Sequence, residues 1–186
     1  MKNYVYIIIV LFCNIITAQA QRMLPKQKGL ETSTGIIADG KIGTDYYINV
    51  AMTINGKKGN YQLWAVEYSR KENDYKHIQI PAETFTAEVG YSFLLISDAG
   101  KNTSLNFGIT GIAGYESINR GKALLFDGAK LLTEDNFIYG VGGRITIETY
   151  LSDRIILLLQ ARTKILWGTD LQQIRPSAGI GLRFNF

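Results

Sequence analysis

His77 is the one histidine of the chain. Ser69, Glu72 and Asp74 lie close to it in sequence, so the set could in principle supply a general base, a hydroxyl nucleophile and an orienting carboxylate. That chemistry needs the base within about 3 Å of the nucleophile and a third group holding it in place. No recognisable motif ties these four residues together, and the expectation is a solvent-exposed histidine in a loop. Cys13 is the one cysteine, and it sits in an apolar N-terminal stretch behind Phe12. Lipid attachment there would need a small residue directly before the cysteine. Gly140, Gly142, Gly143, Gly179 and Gly181 offer the glycine content of a phosphate loop, but no strand-turn-helix context and no following Lys-Ser/Thr accompanies them. They read instead as residues that relieve crowding inside a sheet structure. No catalytic, cofactor-binding or metal-ligating residue is therefore expected, and no small-molecule substrate is identified.

Six charged residues stand out by their parity: Glu88, Arg144, Glu148, Arg162, Lys164 and Arg183 all fall on the polar side of alternating segments. They could line an ion path. In a closed barrel of eight strands, however, the interior has room only for side chains, so a salt-bridge network filling that interior is the expectation.

The elements that must position these charges are strands. Segments of about ten residues with alternating polarity, separated by turns, mark a transmembrane barrel. Eight can be cut from the sequence: 28–36, 46–55, 61–70, 82–96, 103–115, 137–151, 154–167 and the stretch from Pro176 to Phe186. In the first, Leu30, Thr32, Thr34 and Ile36 oppose Gly29, Glu31, Ser33 and Gly35. In the third, Trp64, Val66 and Tyr68 face outward and Glu67 inward. A helix would bring apolar residues round every 3.6 positions, which these segments do not do. Asn55-Gly56, Ser97 to Gly100 and Ser152-Asp153 make short turns after the second, fourth and sixth strands. Longer connections follow the first, third, fifth and seventh. That alternation is the outer-membrane pattern, and aromatic residues near strand ends (Tyr46, Tyr47, Tyr91, Phe93, Tyr115, Phe137, Tyr139, Tyr150, Trp167) fit interfacial girdles. A soluble lipocalin-like barrel would turn its apolar face inward around a ligand, which the glycine-rich, charged opposite face disfavours.

Both ends of the chain agree with export. Lys2, the apolar stretch Tyr4 to Ile16 and Ala18-Gln19-Ala20 form a cleavable leader, and about 13 apolar residues are too few to cross roughly 30 Å of hydrocarbon as a helix. Residues 1–20 are expected to be removed, taking Cys13 with them, and 21–186 to form a single barrel domain without disulfide or metal-thiolate. The chain has 20 Lys+Arg and 16 Asp+Glu, a balance of +4, and losing Lys2 leaves +3. These charges are scattered along the sequence, without the basic stripe of a nucleic-acid-binding protein. No direct contact with nucleic acid is expected. Ala178, Ile180, Leu182, Phe184 and Phe186 share the outward parity, so the chain closes on a lipid-facing aromatic residue.

The segment Gln21 to Glu31, the Gly90-Tyr91-Ser92-Phe93 run and the closing Gly-Ile-Gly-Leu-Arg-Phe-Asn-Phe resemble the TraO proteins of conjugative transposons, over the whole mature chain. The resemblance implies a part in conjugal DNA transfer at the outer envelope, with outer-membrane lipid and other transfer proteins as partners. None of these stretches is a catalytic motif, so no functional residue is carried over. The alternative is a generic small outer-membrane barrel acting as an adhesin or a lipid-active enzyme. One connection, Ser117 to Asn136, is long enough to expect a function. Its Leu124-Leu125-Phe126 and Leu131-Leu132 clusters, rimmed by charges, either meet a partner or fold back over the barrel mouth.

Overall fold

A computed structural model describes residues 23–38, 44–75, 78–119 and 135–186. Eight strands follow one another among them: β1 Lys28–Ile37, β2 Tyr46–Asn55, β3 Tyr61–Tyr75, β4 Ile78–Ser97, β5 Thr103–Ile118, β6 Asn136–Tyr150, β7 Ile155–Trp167 and β8 Ile174–Asn185. Each pairs antiparallel with its sequence neighbour, and β1 pairs with β8 from Gly29↔Asn185 to Ile37↔Ser177, closing the barrel. The fold is all-β, up-and-down and antiparallel, as the alternation predicts. Closure removes every sheet edge along the paired length, which is what an all-β surface in an apolar medium requires.

Strand polarity follows the sequence on all eight strands. Leu30, Ile48, Trp64, Val89, Ile109, Ile145, Leu159 and Ile180, one on each strand, point outward and are exposed. Glu31, Asn49, Glu67, Glu88, Thr110, Arg144, Gln160 and Arg183 point inward and are buried. This is the reverse of a soluble barrel, so the lipocalin-like alternative falls away. Aromatic rings bound the apolar band at two levels. Tyr46, Tyr68 and Phe85 touch in series at ring distances of 6.2 and 4.9 Å. The row continues through the register pairs Phe85↔Tyr115 and Tyr115↔Phe137. Tyr91 and Phe93, 4.9 Å apart, mark the other level with Phe107, the partner of Phe93. Phe85 and Phe93 are separated by eight positions on β4 (93 − 85), about 20 Å of height at about 3.3 Å per residue and a tilt near 40°. That approaches the apolar band of about 25 Å expected of a membrane barrel. Tyr47 and Tyr150, grouped with these rings on sequence, point inward instead and are buried.

Four strand ends differ from the sequence reading by two residues or more. β3 runs to Tyr75 and β4 starts at Ile78, so the long connection expected after the third strand is mostly strand, with pairing from Lys71↔Ala82 to Tyr75↔Ile78. β5 extends to Ile118 and β8 begins at Ile174. Beyond an apolar medium both faces of a strand are wet, so alternation stops while the hydrogen-bond ladder continues. The end carrying the β2–β3, β4–β5 and β6–β7 connections is compact. A single 3-10 turn, Lys57–Gly59, joins β2 to β3. Asp98 closes the next turn by accepting the Thr103 N–H at 2.8 Å, a bond that holds its carboxyl below the ordinary aspartate range. Met23 packs against Tyr150, Ile156 and Leu158 and stoppers the barrel at this end.

Candidate functional site: the filled interior and its capped mouth

The catalytic grouping considered on sequence is not assembled by the described residues. His77 lies outside them. Ser69 takes the inward parity on β3, whereas Glu72 takes the outward parity and binds Arg70 at 2.9 Å. The pleat thus sends them to opposite faces. Among the described residues no cluster of His, Cys, Asp and Glu could hold a metal ion. Of the five glycines, Gly140, Gly142, Gly179 and Gly181 face inward as expected. Gly143 does not, since a side chain built there would point outward and meet nothing within 4 Å.

What the strands do assemble is a column of buried charge in three layers. Nearest the compact end, Glu31 accepts from Arg183 Nη2 at 2.9 Å, Gln160 Nε2 at 2.7 Å and Arg144 Nη2 at 3.3 Å. Arg183 also reaches Glu148 at 2.8 Å and stacks 4.3 Å from the centre of the Tyr61 ring, while Tyr61 donates to Glu148 at 2.7 Å. In the middle layer Arg162 and Lys164 both bind Glu67 and Glu88 at 2.5 to 3.2 Å, and Arg162 lies 4.7 Å from the Tyr47 ring. At the opposite mouth Arg175 pairs with Glu116 and donates to Thr84 and Thr169. Five carboxylates (Glu31, Glu67, Glu88, Glu116, Glu148) therefore meet five cations (Arg144, Arg162, Lys164, Arg175, Arg183). Multiple hydrogen bonds and matched charge are what make buried ions tolerable. Alternation in the sequence places Glu31 and Glu67 inward, whereas Glu116 and Arg175 fall just outside the expected bounds of the fifth strand, ending at Tyr115, and the eighth, beginning at Pro176. Continuing the parity of Asn106 to Gly114 by one step finds Glu116.

The connection from β7 to β8 covers the mouth. Leu171 packs on Ile80, Ala82 and Ile118. Thr169 donates to Glu116, Asn136 donates to Asp170 at 2.9 Å, and Lys71 donates to Gln172 at 3.2 Å. Below this cap, cavities of about 20 and 30 Å³ remain beside Thr84 and Arg175, room for a water molecule or two. The described interior is packed with paired side chains, so an ion passing through it would have to part them. The loop clusters Leu124 to Phe126 and Leu131-Leu132 lie outside the described residues. Replacing Arg175 by methionine removes bonds to Glu116, Thr84, Thr169 and the Gln172 carbonyl. Each such charged bond contributes about 1.5–3 kcal/mol, so amide hydrogen exchange across 168–173 should rise by about tenfold or more while exchange in β6 stays unchanged. Equal exchange in both proteins would show that Arg175 does not hold the cap.

Comparison with known proteins matches this geometry. A family model described as conjugative transposon protein TraO matches residues 24–186. No curated protein sequence matches the chain. Among solved structures, Neisserial surface protein A aligns with a TM-score of 0.56 at 13% identity, over 86% of this chain and 95% of that one. Ail, the attachment invasion locus protein of Yersinia pestis, aligns at 0.52 and 9% identity, over 88% and 100%. The N-terminal β-barrel domain of Pseudomonas aeruginosa OprF aligns at 0.50 and 8% identity, over 87% and 98%. At these identities the likeness is one of fold: the chain is a closed eight-stranded barrel of the outer-membrane type.

Proposed function

The chain belongs to the TraO family of conjugative transposon proteins, and from that premise we propose that it serves as a non-enzymatic outer-membrane component of the apparatus that transfers conjugating DNA. Residues 1–20 act as the export leader in this reading, and the mature barrel crosses the outer membrane with its short turns in the periplasm and its longer connections outside. The observation that carries it is the apolar outward face present on all eight strands around an ion-paired interior. An interior so filled suits a scaffold or docking element better than a conduit. Its partners are outer-membrane lipid and other transfer proteins, and DNA is not contacted directly.

Deleting the gene from the donor should lower mating frequency by orders of magnitude, with recovery when a copy is supplied in trans. The protein should fractionate with outer membranes and migrate differently on gels before and after boiling. Undiminished mating by the deletion strain would remove the transfer role. Recovery in the soluble periplasmic fraction would remove the membrane assignment.

A further inference from the structure

Folding collects on one rim charges that are scattered in sequence. At the compact end lie Lys26, Lys28, Lys57, Lys58, Lys101 and Arg154, all exposed, and among the described residues the acidic side chains there are Asp98 and Asp153. Asp98 is engaged by its own turn, through Thr103 and Asn102. At the opposite end the described charges are mainly acidic: Asp45, Glu72, Glu83, Asp135 and Asp170 beside Arg70 and Lys71. The interior column is balanced and does not offset this polarity.

The basic residues encircle the rim, joined by backbone contacts from one corner to the next. Lys26 N–H donates to Asn55 O, beside the turn that carries Lys57 and Lys58. The side-chain Oδ1 of Asn60, which ends that turn, accepts the Leu94 N–H. Tyr150 N–H reaches Asn102 next to Lys101, Asn185 N–H reaches the Arg154 carbonyl, and Phe186 N–H reaches the Lys28 carbonyl, completing the circle. Large apolar side chains stand among them: Leu24, Ile96, Leu151 and Phe186 are 40 to 68% exposed. Met23 closes the centre, so the charge lies on the perimeter, directly below the apolar band.

We infer that this ring binds anionic phospholipid headgroups of the leaflet it faces, which is the periplasmic one under the membrane reading on which the inference rests. Lipid phosphates lie around the perimeter just beyond the hydrocarbon, where exposed apolar residues enter the acyl region and lysines reach outward to anionic oxygens. An acidic protein would dock on one side or over the end, and a ring interleaved with exposed apolar side chains matches a lipid annulus better.

The two tryptophans make the inference testable, because Trp64 lies toward the compact end of β3 and Trp167 ends β7 near the mouth. The full chain carrying Trp167→Phe is extracted from outer membranes. It is reconstituted into phosphatidylcholine vesicles in which a fixed fraction of brominated lipid is either phosphatidylglycerol or phosphatidylcholine. Brominated phosphatidylglycerol should quench Trp64 as though enriched about two- to fivefold at the protein, the upper figure corresponding to one lysine engaged at an anionic surface. The preference should vanish at 1 M salt, where charges are screened within about 3 Å. It should also vanish when all six basic residues are changed to glutamine, and persist in Arg70→Gln/Lys71→Gln. The salt arm needs no variant, so it decides the matter even if the sixfold variant does not fold. Equal quenching by both lipids, or a preference that survives high salt or the sixfold change, overturns the inference. Equal quenching combined with lost mating by a folded sixfold variant assigns the ring to an acidic protein instead. Absence of a heat-modifiable barrel in either vesicle removes the membrane reading itself, and the ring inference with it.

Discussion

Replacing Glu31 by leucine is expected to lower the stability of the folded barrel by about 3–5 kcal/mol, the cost of removing one partner from a buried ion pair. Glu31 is fully buried and accepts from Arg144, Arg183 and Gln160. Without it, Arg183 keeps Glu148, while Arg144 loses its carboxylate partner and keeps its bond to the Tyr61 hydroxyl. The temperature at which the folded form converts to the unfolded one on a gel should drop, and the urea midpoint should fall with an unchanged slope. A second change, Arg144→Leu, rebalances the layer and should return a substantial part of the loss, because a matched apolar pair replaces an orphaned charge. The cycle of two single variants and the double variant reads that coupling directly. Strict additivity, or a Glu31→Leu barrel within about 1 kcal/mol of wild type, would mean that the layer is solvated rather than paired.

Gly179→Val should prevent the β1–β8 seam from closing properly. A Cβ at Gly179 would lie 2.3 Å from the Thr34 carbonyl oxygen and 2.3 Å from the Tyr47 hydroxyl. Its register partner Gly35 is as tightly enclosed, with Ala178 O at 2.1 Å and Tyr47 Cε1 at 2.7 Å. The two glycines form a flat floor on which the Tyr47 ring rests, and Arg162 lies against that ring. The tyrosine can swing aside, but the β1 backbone cannot move without breaking the ladder that closes the barrel. We expect at least the 3 kcal/mol at the upper end of overpacking costs, about 1–3 kcal/mol, read as loss of the heat-modifiable form. Gly143→Ala, on the open outward face, should change stability by about 0.5 kcal/mol or less. A Gly179→Val protein that folds as well as Gly143→Ala would show that the seam is not confined there.

Period-two alternation carried most of the architecture. A strand in a barrel with an apolar surround must show one apolar and one permissive face, so Leu157, Leu159 and Ala161 against Leu158, Gln160 and Arg162 already say which way each residue points. That is why strand number and parity were legible without coordinates, along with the inward direction of Glu88, Arg144, Glu148, Arg162, Lys164 and Arg183. The Gln21 to Glu31 segment, the Gly90 to Phe93 run and the closing strand together point to the TraO family, which the match over residues 24–186 establishes. Alternation is silent wherever both faces are wet. Alternation therefore marks the outer parts of β3 and β4 as loop and gives Glu116 and Arg175 no place.

Tertiary structure alone decided which charges meet. Parity says that a side chain enters the barrel, but its height depends on the tilt and stagger with which eight strands close. Glu31 and Gln160 are 129 positions apart and come within 2.7 Å, a proximity that no local spacing encodes. The same holds for the rim. Lys28, Lys57, Lys101 and Arg154 are isolated in sequence and become one ring because antiparallel strands return each turn to the same end. Local chemistry determined the faces of the strands, whereas closure of the sheet determined the neighbours, because only closure sets distances between residues far apart along the chain.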